Sequence, residues 1–247
     1  MHDSSLLDAL DPLIGEGWIE DVLFEVKSGK EATVFCCRGA ERAPAPLVAA
    51  KIYRAREHRG FANDAIYRAG RVEHARQSRL KRALDQASAF GREAQFGLWI
   101  HHEVEMLTRL ARAGLPVPEP IATADRAILM PFIGDEAGAA PPLHLTAPST
   151  EDAERIVDTI LDAVADMLDL HVVHGDLSPY NILLWQDEPI IIDLPQAIDP
   201  RLNPAGFELL MRDVRRVCEW SERLGVDRDP FEIAADLWGA FREGVIG

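Results

Sequence analysis

The sequence predicts an α+β fold, with enough residues for one large domain or two small lobes, and three features of the chain bear on this prediction. Alternating and apolar strand-forming segments fall in the part of the chain that precedes residue 130. Helical stripes of apolar residues follow over 156–168, 207–224 and 230–243. The Gly/Ala/Pro-rich stretch 134–148 lies between the two parts and predicts a flexible boundary.

We expect residues 1–20 to form a helical lead-in, 21–130 the first lobe and 131–247 the second lobe. A basic helical insertion of about residues 53–93 interrupts the first lobe, with ten Lys or Arg against five Asp or Glu. This segment therefore carries about +5 in a chain of formal net charge −15. The strongly acidic remainder disfavours general attraction to nucleic acid or to an anionic membrane.

Composition also bears on the compartment of the protein. No apolar run approaches the ~20 residues that a membrane-spanning helix needs, and the first residues do not form a basic, apolar signal sequence. We therefore expect a cytoplasmic protein with no membrane partner. Cys36, Cys37 and Cys218 form neither a C-x-x-C metal pattern nor an even disulfide set, so they are expected to be reduced structural thiols.

A hairpin is predicted where alternating residues over 22–26 and a strand over 33–37 flank the turn Ser28-Gly29-Lys30-Glu31. A small turn of this kind lets backbone N–H groups approach phosphate oxygens. Only Gly29 and Val34 match the phosphate-covering pattern G-x-G-x-x-G-x-V. The turn alone therefore leaves a plain surface hairpin open as the alternative.

The next strand, Val48-Ala49-Ala50-Lys51-Ile52-Tyr53, is apolar except for one lysine. A buried lysine requires an anionic partner, and V-A-x-K is typical of the lysine that contacts nucleotide α/β-phosphates. The alternative is an edge-strand lysine that points to solvent. A helix with an apolar stripe over 104–110 follows, and its Glu103 is the candidate partner of Lys51, with Glu105 as the alternative.

The strongest motif lies in the second lobe. His174, Asp176 and Asn181 fit the H-x-D-x-x-x-x-N catalytic loop of phosphotransferases. Asp193 follows a short apolar run, where a metal-binding Asp is expected. Phosphoryl transfer needs a carboxylate facing the acceptor and oxygen ligands for metal ions, so Asp176 is the predicted base and Asn181 and Asp193 the predicted metal ligands. The alternative is a turn in which Asp and Asn merely bond nearby backbone.

Together these motifs resemble the RIO family of atypical serine/threonine protein kinases, and its bacterial members in particular, from about Val22 to Leu224. The segment from Ser28 to Phe35 is similar to the family's S-T-G-K-E-A-x-V-Y loop. Trp99-x-x-x-Glu103 matches the family's W-x-x-x-E helix. The resemblance therefore favours Glu103 over Glu105 as the partner of the lysine.

The segment Met130-Pro131-Phe132-Ile133-Gly134 is similar to the family's hinge. This similarity implies that Met130 is the gatekeeper and that the backbone of Phe132 and Ile133 meets the adenine. The other nucleotide-binding residues that the resemblance implies are Ser28, Gly29, Lys30, Val34, Lys51 and Glu103.

The resemblance implies a trimmed, two-lobed protein-kinase-like fold, without activation loop or peptide-binding helices, that binds ATP with Mg²⁺ or Mn²⁺. Only 54 residues follow Asp193, and they contain no A-P-E motif. Among the implied catalytic residues are Lys51, Asp176 and Asp193. Autophosphorylation, slow ATPase activity or both are expected, with the chain itself or another protein as phosphate acceptor.

Two other functions stay open. A small-molecule kinase of the aminoglycoside-phosphotransferase type also carries an H-G-D-x-x-x-x-N loop, although the short tail leaves little room for its acceptor pocket. The other is a nucleotide-sensing module that binds RNA, a ribosomal partner or another protein through the basic segment 53–93. Its docking face would consist of Arg68, Arg71, Arg79 and Arg82.

Overall fold

The structure, a computed structural model, describes residues 4–54 and 89–244. Most of the basic segment, including the four arginines of the predicted docking face, lies outside these residues. The chain divides into two compact units. Of the described residues, the first unit comprises 4–54, 89–108 and 118–139, and the second comprises 109–117 and 140–244.

The first unit is built on a five-stranded antiparallel sheet in the order β1-β2-β3-β5-β4. The strands are β1 (Ile19–Ser28), β2 (Ala32–Gly39), β3 (Leu47–Tyr53), β4 (Ala122–Ala124) and β5 (Ala127–Pro131). The predicted hairpin and lysine strand are confirmed as β1–β2 and β3. The sequence analysis missed β4, since its three residues, two of them alanine, carry little strand preference.

One face of the sheet is covered by the N-terminal segment, in which Leu10 and Leu13 are buried against apolar side chains of β2, β3 and β5. The segment consists of α1 (Ser4–Leu7), a 3-10 turn (Asp8–Leu10) and α2 (Asp11–Gly15). A single short helix was expected here. Pro12 has no backbone N–H to donate to the preceding turn, which accounts for the break.

The opposite face of the sheet is covered by α3 (Ala89–Arg112). Ile100 and Val104 of this helix pack against Tyr53 of β3 and Ile128 of β5. The predicted helix around Glu103 is therefore present, and it lies against the sheet of the first unit.

The stretch 134–148 contains more regular structure than the predicted flexible boundary. Its elements are β6 (Gly134–Asp135), β7 (Gly138–Ala139) and a 3-10 turn (Leu143–Leu145). The Asp135 side chain accepts a hydrogen bond from the N–H of Ala137 over 2.8 Å. Gly134 has a φ of 145°, which L-residues rarely adopt. Glycine and aspartate here form a tight hairpin turn, and the boundary between the two units falls within the stretch, after Ala139.

Among its described residues, the second unit combines three helices with a small hairpin. Its main elements are α4 (Thr150–Asp169), β8 (Ile182–Trp185), β9 (Glu188–Ile191), α5 (Gly206–Glu222) and α6 (Pro230–Glu243). Ser149 caps the N-terminus of α4, where the N–H of Asp152 donates to Ser149 Oγ over 3.1 Å. Asp229 caps α6 in the same manner. The two helices predicted over 207–224 and 230–243 are thus confirmed.

Two expectations from composition can be compared with the structure. The three cysteines are buried and unpaired, as predicted. Burial raises the pKa of the Cys37 thiol to about 12 and that of Cys218 to about 11, so both stay protonated and pack as small apolar groups. Within residues 4–54 and 89–244, no helix combines the length and the apolarity needed to cross a membrane.

Candidate active site

Lys51 lies on the central strand of the first unit's sheet. Strand β3 is paired on both sides, so that Lys51 is opposite Val34 of β2 and Ile128 of β5. The lysine is buried. The alternative of an exposed edge-strand lysine is therefore wrong.

The buried lysine has a carboxylate partner. Its Nζ lies 2.6 Å from Oε1 of Glu103, and the two side chains are 11% and 1% exposed. Glu105, in contrast, is exposed. The prediction that Glu103 pairs with Lys51 is confirmed. An ammonium group has three N–H donors, so a lysine held by one carboxylate can also donate to phosphate oxygens.

Three candidate nucleotide-binding residues share one face of the sheet. Residues directly opposite each other in an antiparallel sheet point to the same face, as do residues two apart along a strand. Val34 lies opposite Lys51, and Met130 lies opposite Ala49, two residues before Lys51. Side chains from three strands are thereby aligned on the face that carries the lysine.

The turn between β1 and β2 is tight and exposed. The N–H of Gly29 donates to the carbonyl of Ala32 over 2.9 Å. A Cβ atom at position 29 would lie 3.3 Å from that carbonyl oxygen, which makes a side chain there tight. Ser28 and Lys30 are exposed on either side of Gly29. Backbone N–H groups in such a turn are accessible to phosphate oxygens.

Arg54 braces the base of this turn. Its Nη2 donates to Ser28 Oγ over 2.6 Å and to Thr33 Oγ1 over 2.9 Å. Since Arg54 directly follows β3, these bonds tie the turn to the strand that carries Lys51. The guanidinium group thereby limits the positions that the turn can adopt.

The predicted adenine contacts follow β5. Met130 is half-buried near the end of the strand, and Phe132 and Ile133 come after its last residue. The ring of Phe132 packs edge-to-face against Phe24, with centroids 6.1 Å apart. The backbone of these two residues lies beyond the hydrogen-bonded ladder of the sheet, where a ligand can bind to it.

The second unit carries the predicted catalytic loop. Just before it, Val173 and Ile198 exchange two backbone hydrogen bonds of 3.0 and 2.9 Å. Gly175 then adopts a left-handed φ of 78°. Glycine tolerates this conformation without steric cost, which explains its position between the histidine and the aspartate.

His174 lies buried beneath the loop. Its Nδ1 accepts a hydrogen bond from the N–H of Asp176 over 3.3 Å. The other nitrogen, Nε2, therefore carries the proton and donates to the carbonyl of Ile192 over 3.1 Å. Burial lowers the pKa of the imidazole, which favours this neutral form. His174 thus links the loop to the segment that precedes Asp193.

A second buried anchor is Asp213 of α5. Its Oδ2 accepts from the N–H of Gly175 over 2.7 Å, and its Oδ1 accepts from the N–H of Leu177 over 3.0 Å. Burial raises the pKa of this carboxyl group to about 7, although the two N–H donors oppose the rise. The backbone on both sides of Asp176 is thereby held by one side chain.

The Asp176 side chain itself reaches the surface. It is 48% exposed, and its Oδ1 lies 2.8 Å from Nη1 of Arg216, an α5 residue that is 35% exposed. Its backbone carbonyl accepts from Asn181 Nδ2 over 2.9 Å. A half-exposed carboxylate on a fixed backbone is well placed to accept a proton from an incoming hydroxyl group.

Asn181 and Asp193 fit a magnesium site. The N–H of Ile192 donates to the backbone carbonyl of Asn181 over 3.0 Å, which holds the segments of the two candidate ligands together. Asn181 makes a backbone contact, as the turn alternative expects, but through its NH₂ group. Its Oδ1 therefore faces away from that bond as an available ligand atom.

The backbone at Asp193 supports the same assignment. Its φ of 70° is unusual for a residue other than glycine, and such conformations cost of order 1–3 kcal/mol and cluster at functional sites. In the described part of the chain, no group of three His, Cys, Asp or Glu side chains could hold a metal ion. Mg²⁺ often takes only one or two protein oxygens and completes its shell with phosphate and water.

Arg54, Asp213 and Arg216 were missed by the sequence analysis. Asp213 gave a usable signal, because it falls on the apolar stripe of its helix beside Val214 and Val217, and a buried acid requires donors. Arg54 and Arg216 gave no such signal in the sequence. Their partners lie 26 and 40 residues away in the sequence, and exposed arginines are common on every protein surface.

Solved structures with a similar fold are Rio2 kinases. The crystal structure of the Rio2 kinase from Chaetomium thermophilum has a TM-score of 0.67 at 21% identity, covering 96% of this chain and 68% of that chain. The Rio2 kinase–ADP/Mg²⁺–phosphoaspartate complex from the same organism has a TM-score of 0.63 at 23% identity. It covers 93% of this chain, which spans 64% of that chain. The predicted α+β, protein-kinase-like fold is confirmed.

Curated relatives are similar over most of this chain. The RIO-type serine/threonine-protein kinase Rio1 of Haloferax volcanii is 29% identical over 229 residues, which make up 93% of this chain and 73% of the relative. Rio1 of Thermoplasma acidophilum is 34% identical over 136 residues, or 55% of this chain and 70% of the relative. The serine/threonine-protein kinase RIO1 of Chaetomium thermophilum is 30% identical, over 94% of this chain and 46% of its own length.

The fold and these relatives define an atypical kinase, an enzyme of ATP-dependent phosphoryl transfer. The chain belongs to the RIO domain family, whose model matches residues 33–233. The predicted family and enzyme class are thus confirmed. This membership favours the kinase over both alternatives, the small-molecule phosphotransferase and the purely binding module.

Proposed function

We propose that this chain transfers the γ-phosphate of ATP to a side chain of its own or of another protein. The observation that carries the proposal is the Asp176 carboxylate, which is half-exposed on a loop whose backbone is fixed on both sides. The first unit would hold the nucleotide. Its proposed contacts are Ser28, Gly29, Lys30, Val34, Lys51, Glu103, Met130 and the backbone of Phe132 and Ile133.

In the proposed reaction, Asp176 takes the proton of an acceptor hydroxyl while that oxygen attacks the γ-phosphorus. The bond from the γ-phosphorus to the bridging oxygen breaks, and ADP leaves with that oxygen. Lys51 donates to the α/β-phosphates, and Glu103 keeps its ammonium group in place. A positioned base contributes roughly 10²- to 10⁴-fold to such a step.

The proposed metal ligands are Asn181 Oδ1 and the Asp193 carboxylate, which would hold Mg²⁺, or Mn²⁺ in its place. A bound ion neutralises negative charge on the phosphates. Both ligands are oxygen atoms, which suit both ions. The presence of ADP and Mg²⁺ in the named Rio2 complex supports binding of a nucleotide together with Mg²⁺.

We further propose that self-phosphorylation or slow ATP hydrolysis is the main activity. A free peptide needs a surface that orients its hydroxyl, and orientation lowers barriers by ~7–11 kcal/mol. In the described part of the chain, the helices after Asp193 are α5 and α6, and α5 already holds the catalytic loop. Two nearer acceptors are a serine or threonine of the chain itself, whose proton Asp176 would take, and the Asp193 carboxylate, which carries no proton and would attack the γ-phosphorus directly. The phosphoaspartate of the named Rio2 complex supports the second acceptor.

Incubation of the purified chain with γ-labelled ATP and Mg²⁺ or Mn²⁺ tests the proposal. We expect slow incorporation of label, release of labelled phosphate, or both. Acid-stable label indicates serine or threonine, whereas label released by hydroxylamine indicates an acyl phosphate on aspartate. Asp176→Asn should slow transfer to a hydroxyl group ~10²- to 10⁴-fold but retain ATP binding, and Asp227→Asn, an exposed position, serves as the matched control. Absence of both products with the wild type, or rapid saturable phosphorylation of short peptides, would contradict the proposal.

The basic segment 53–93 is a proposed docking surface for RNA, a ribosomal partner or an acidic protein. Its charge of about +5 within an acidic chain supports this role. Binding should weaken steeply with salt and be lost when Arg68, Arg71, Arg79 and Arg82 are reversed to glutamate. Finding no partner at low salt would count against docking. We also propose a cytoplasmic location, which cell fractionation tests.

A further inference from the structure

The side chain of the proposed base is held differently from its backbone. Buried groups fix the backbone of Asp176 through its own N–H and carbonyl and through the N–H groups on either side. For the carboxylate, the contact that the described residues provide is Arg216 Nη1, 2.8 Å from Oδ1. The rotation of the carboxylate therefore depends on this arginine.

The catalytic loop provides no cation of its own. Residues 174–181, H-G-D-L-S-P-Y-N, contain neither Lys nor Arg. The charged side chains that contact the loop come from one side of α5 instead. Arg212 and Arg216 are neighbours there, because residues four apart on a helix share a face. Arg212 donates to the carbonyl of Gly175, Asp213 binds the loop on both sides of the base, and Arg216 reaches the base itself.

This ion pair is expected to contribute little to the stability of the fold. Both side chains are substantially exposed, and exposed pairs are weakened by water and by the entropy of fixing two side chains. Neighbouring Arg215 shows the ordinary surface arrangement, 3.8 Å from Glu219 on its own helix. Arg216, in contrast, reaches across to a residue 40 positions away.

We propose that Arg216 is a positioning residue for the base, an inference that rests on the proposed function of Asp176. By binding Oδ1, the guanidinium group fixes the carboxylate plane and turns Oδ2 toward the acceptor hydroxyl. A planar guanidinium group sets this direction better than an ammonium group, which acts as a point charge. Because Arg216 acts on the acceptor side of the reaction, its loss should slow transfer without weakening ATP binding.

The test compares Arg216→Ala, Arg216→Lys and the control Arg215→Ala in the full chain, by single-turnover transfer from γ-labelled ATP. Misplacing a reacting group by about 1 Å can cost ~10²-fold, so we expect Arg216→Ala to slow transfer roughly 10- to 100-fold. The KM for ATP and the urea midpoint should stay unchanged. Arg216→Lys should be intermediate, and Arg215→Ala should match the wild type.

Added guanidinium ion should restore transfer in Arg216→Ala, whereas ammonium at equal ionic strength should restore less. In an Asp176→Asn background, Arg216→Ala should have no further effect on the residual rate. Three results would overturn the inference. Arg216→Ala could transfer phosphate at the wild-type rate or faster, its lower transfer rate could be accompanied by a lowered urea midpoint, or guanidinium could fail to restore its transfer rate. Wild-type transfer by Asp176→Asn would instead overturn the proposed function.

Discussion

Two ion pairs, one in each unit of the chain, have similar lengths but differ in burial. The Lys51–Glu103 pair spans 2.6 Å with side chains 11% and 1% exposed. The Arg216–Asp176 pair spans 2.8 Å with side chains 35% and 48% exposed. Breaking a buried pair leaves an uncompensated charge, whereas an exposed pair contributes only ~0–1 kcal/mol. Breaking the Lys51–Glu103 pair should therefore impair both folding and nucleotide binding. Breaking the Arg216–Asp176 pair should slow phosphate transfer alone.

The proposed roles of the two pairs account for this difference. A lysine that contacts phosphates must stay in one place, and burial beneath α3 next to the Glu103 carboxylate restricts its movement. A base must meet an acceptor that arrives from solvent, so its carboxylate has to remain exposed. His174, Asn181 and Asp213 hold the backbone of Asp176 in place, and the orientation of its carboxylate is left to Arg216.

Breaking the buried pair should give the largest change in stability. Lys51→Met leaves the Glu103 carboxylate buried without its lysine, which we expect to lower the free energy of unfolding by ~3–5 kcal/mol. Adding Glu103→Leu removes the buried charge and should recover most of that loss. ATP binding should stay impaired in both variants, because no ammonium group contacts the phosphates. Urea unfolding and nucleotide titration measure these effects.

The control for the buried pair is Glu105→Leu, an exposed position two residues along the same helix. It should leave both unfolding and ATP binding unchanged. ATP binding at wild-type strength in the double variant would remove Lys51 from the nucleotide site.

Replacing Asp213, which anchors the loop that carries Asp176, should have an intermediate effect on stability. Asparagine at position 213 offers one acceptor oxygen, so one of the N–H groups of Gly175 and Leu177 would face an NH₂ group. Leaving a buried donor unsatisfied costs ~1–3 kcal/mol, and we expect Asp213→Asn to lower the free energy of unfolding by that amount at neutral pH. Phosphate transfer should fall as well, because the loop loosens around Asp176. Unchanged unfolding would show that the two N–H bonds contribute little.

The same carboxyl group should make stability depend on pH. Burial raises the pKa of Asp213 from 3.8 to about 7 in the folded chain, so the folded state binds this proton more tightly than the unfolded state. The stability that Asp213 provides is then fully present below about pH 4 and is lost as the pH rises through about 7. The difference in unfolding free energy between the wild type and Asp213→Asn should therefore shrink from pH 5 to pH 8. A constant difference over that range would contradict the raised pKa.

Replacing Arg54, which binds the turn between β1 and β2, should give the smallest effect. Arg54→Ala removes two partly exposed hydrogen bonds, each worth ~0.5–1.5 kcal/mol. We expect the KM for ATP to rise roughly two- to tenfold with little change in kcat, since Arg54 orients the turn and takes no part in the chemistry. Steady-state kinetics measure both parameters, with Arg38→Ala, an exposed arginine of β2, as the control. An unchanged KM would show that the turn holds its position without Arg54.

Sequence analysis predicted the contacts whose residues lie in a local strand or helix pattern, or in a motif of known spacing. The strand of Lys51, the helix of Glu103 and the H-x-D-x-x-x-x-N loop each have a pattern within a few residues. Asp213 and Arg216 could not be assigned in the same way, because their roles depend on α5 packing beneath a loop some 40 residues earlier in the chain. The composition of 134–148 predicted a boundary between the units but not the β6–β7 hairpin within it, since glycine serves hairpin turns as well as linkers.

Urea unfolding and single-turnover phosphate transfer, measured on one preparation of Asp176→Asn, most directly test the claim that the exposed pair serves the chemistry alone. We predict a urea midpoint and an ATP affinity equal to those of the wild type, with transfer reduced ~10²- to 10⁴-fold. Transfer at the wild-type rate would contradict the claim that Asp176 is the base. A urea midpoint lowered as far as that of Lys51→Met would contradict the distinction between the two pairs.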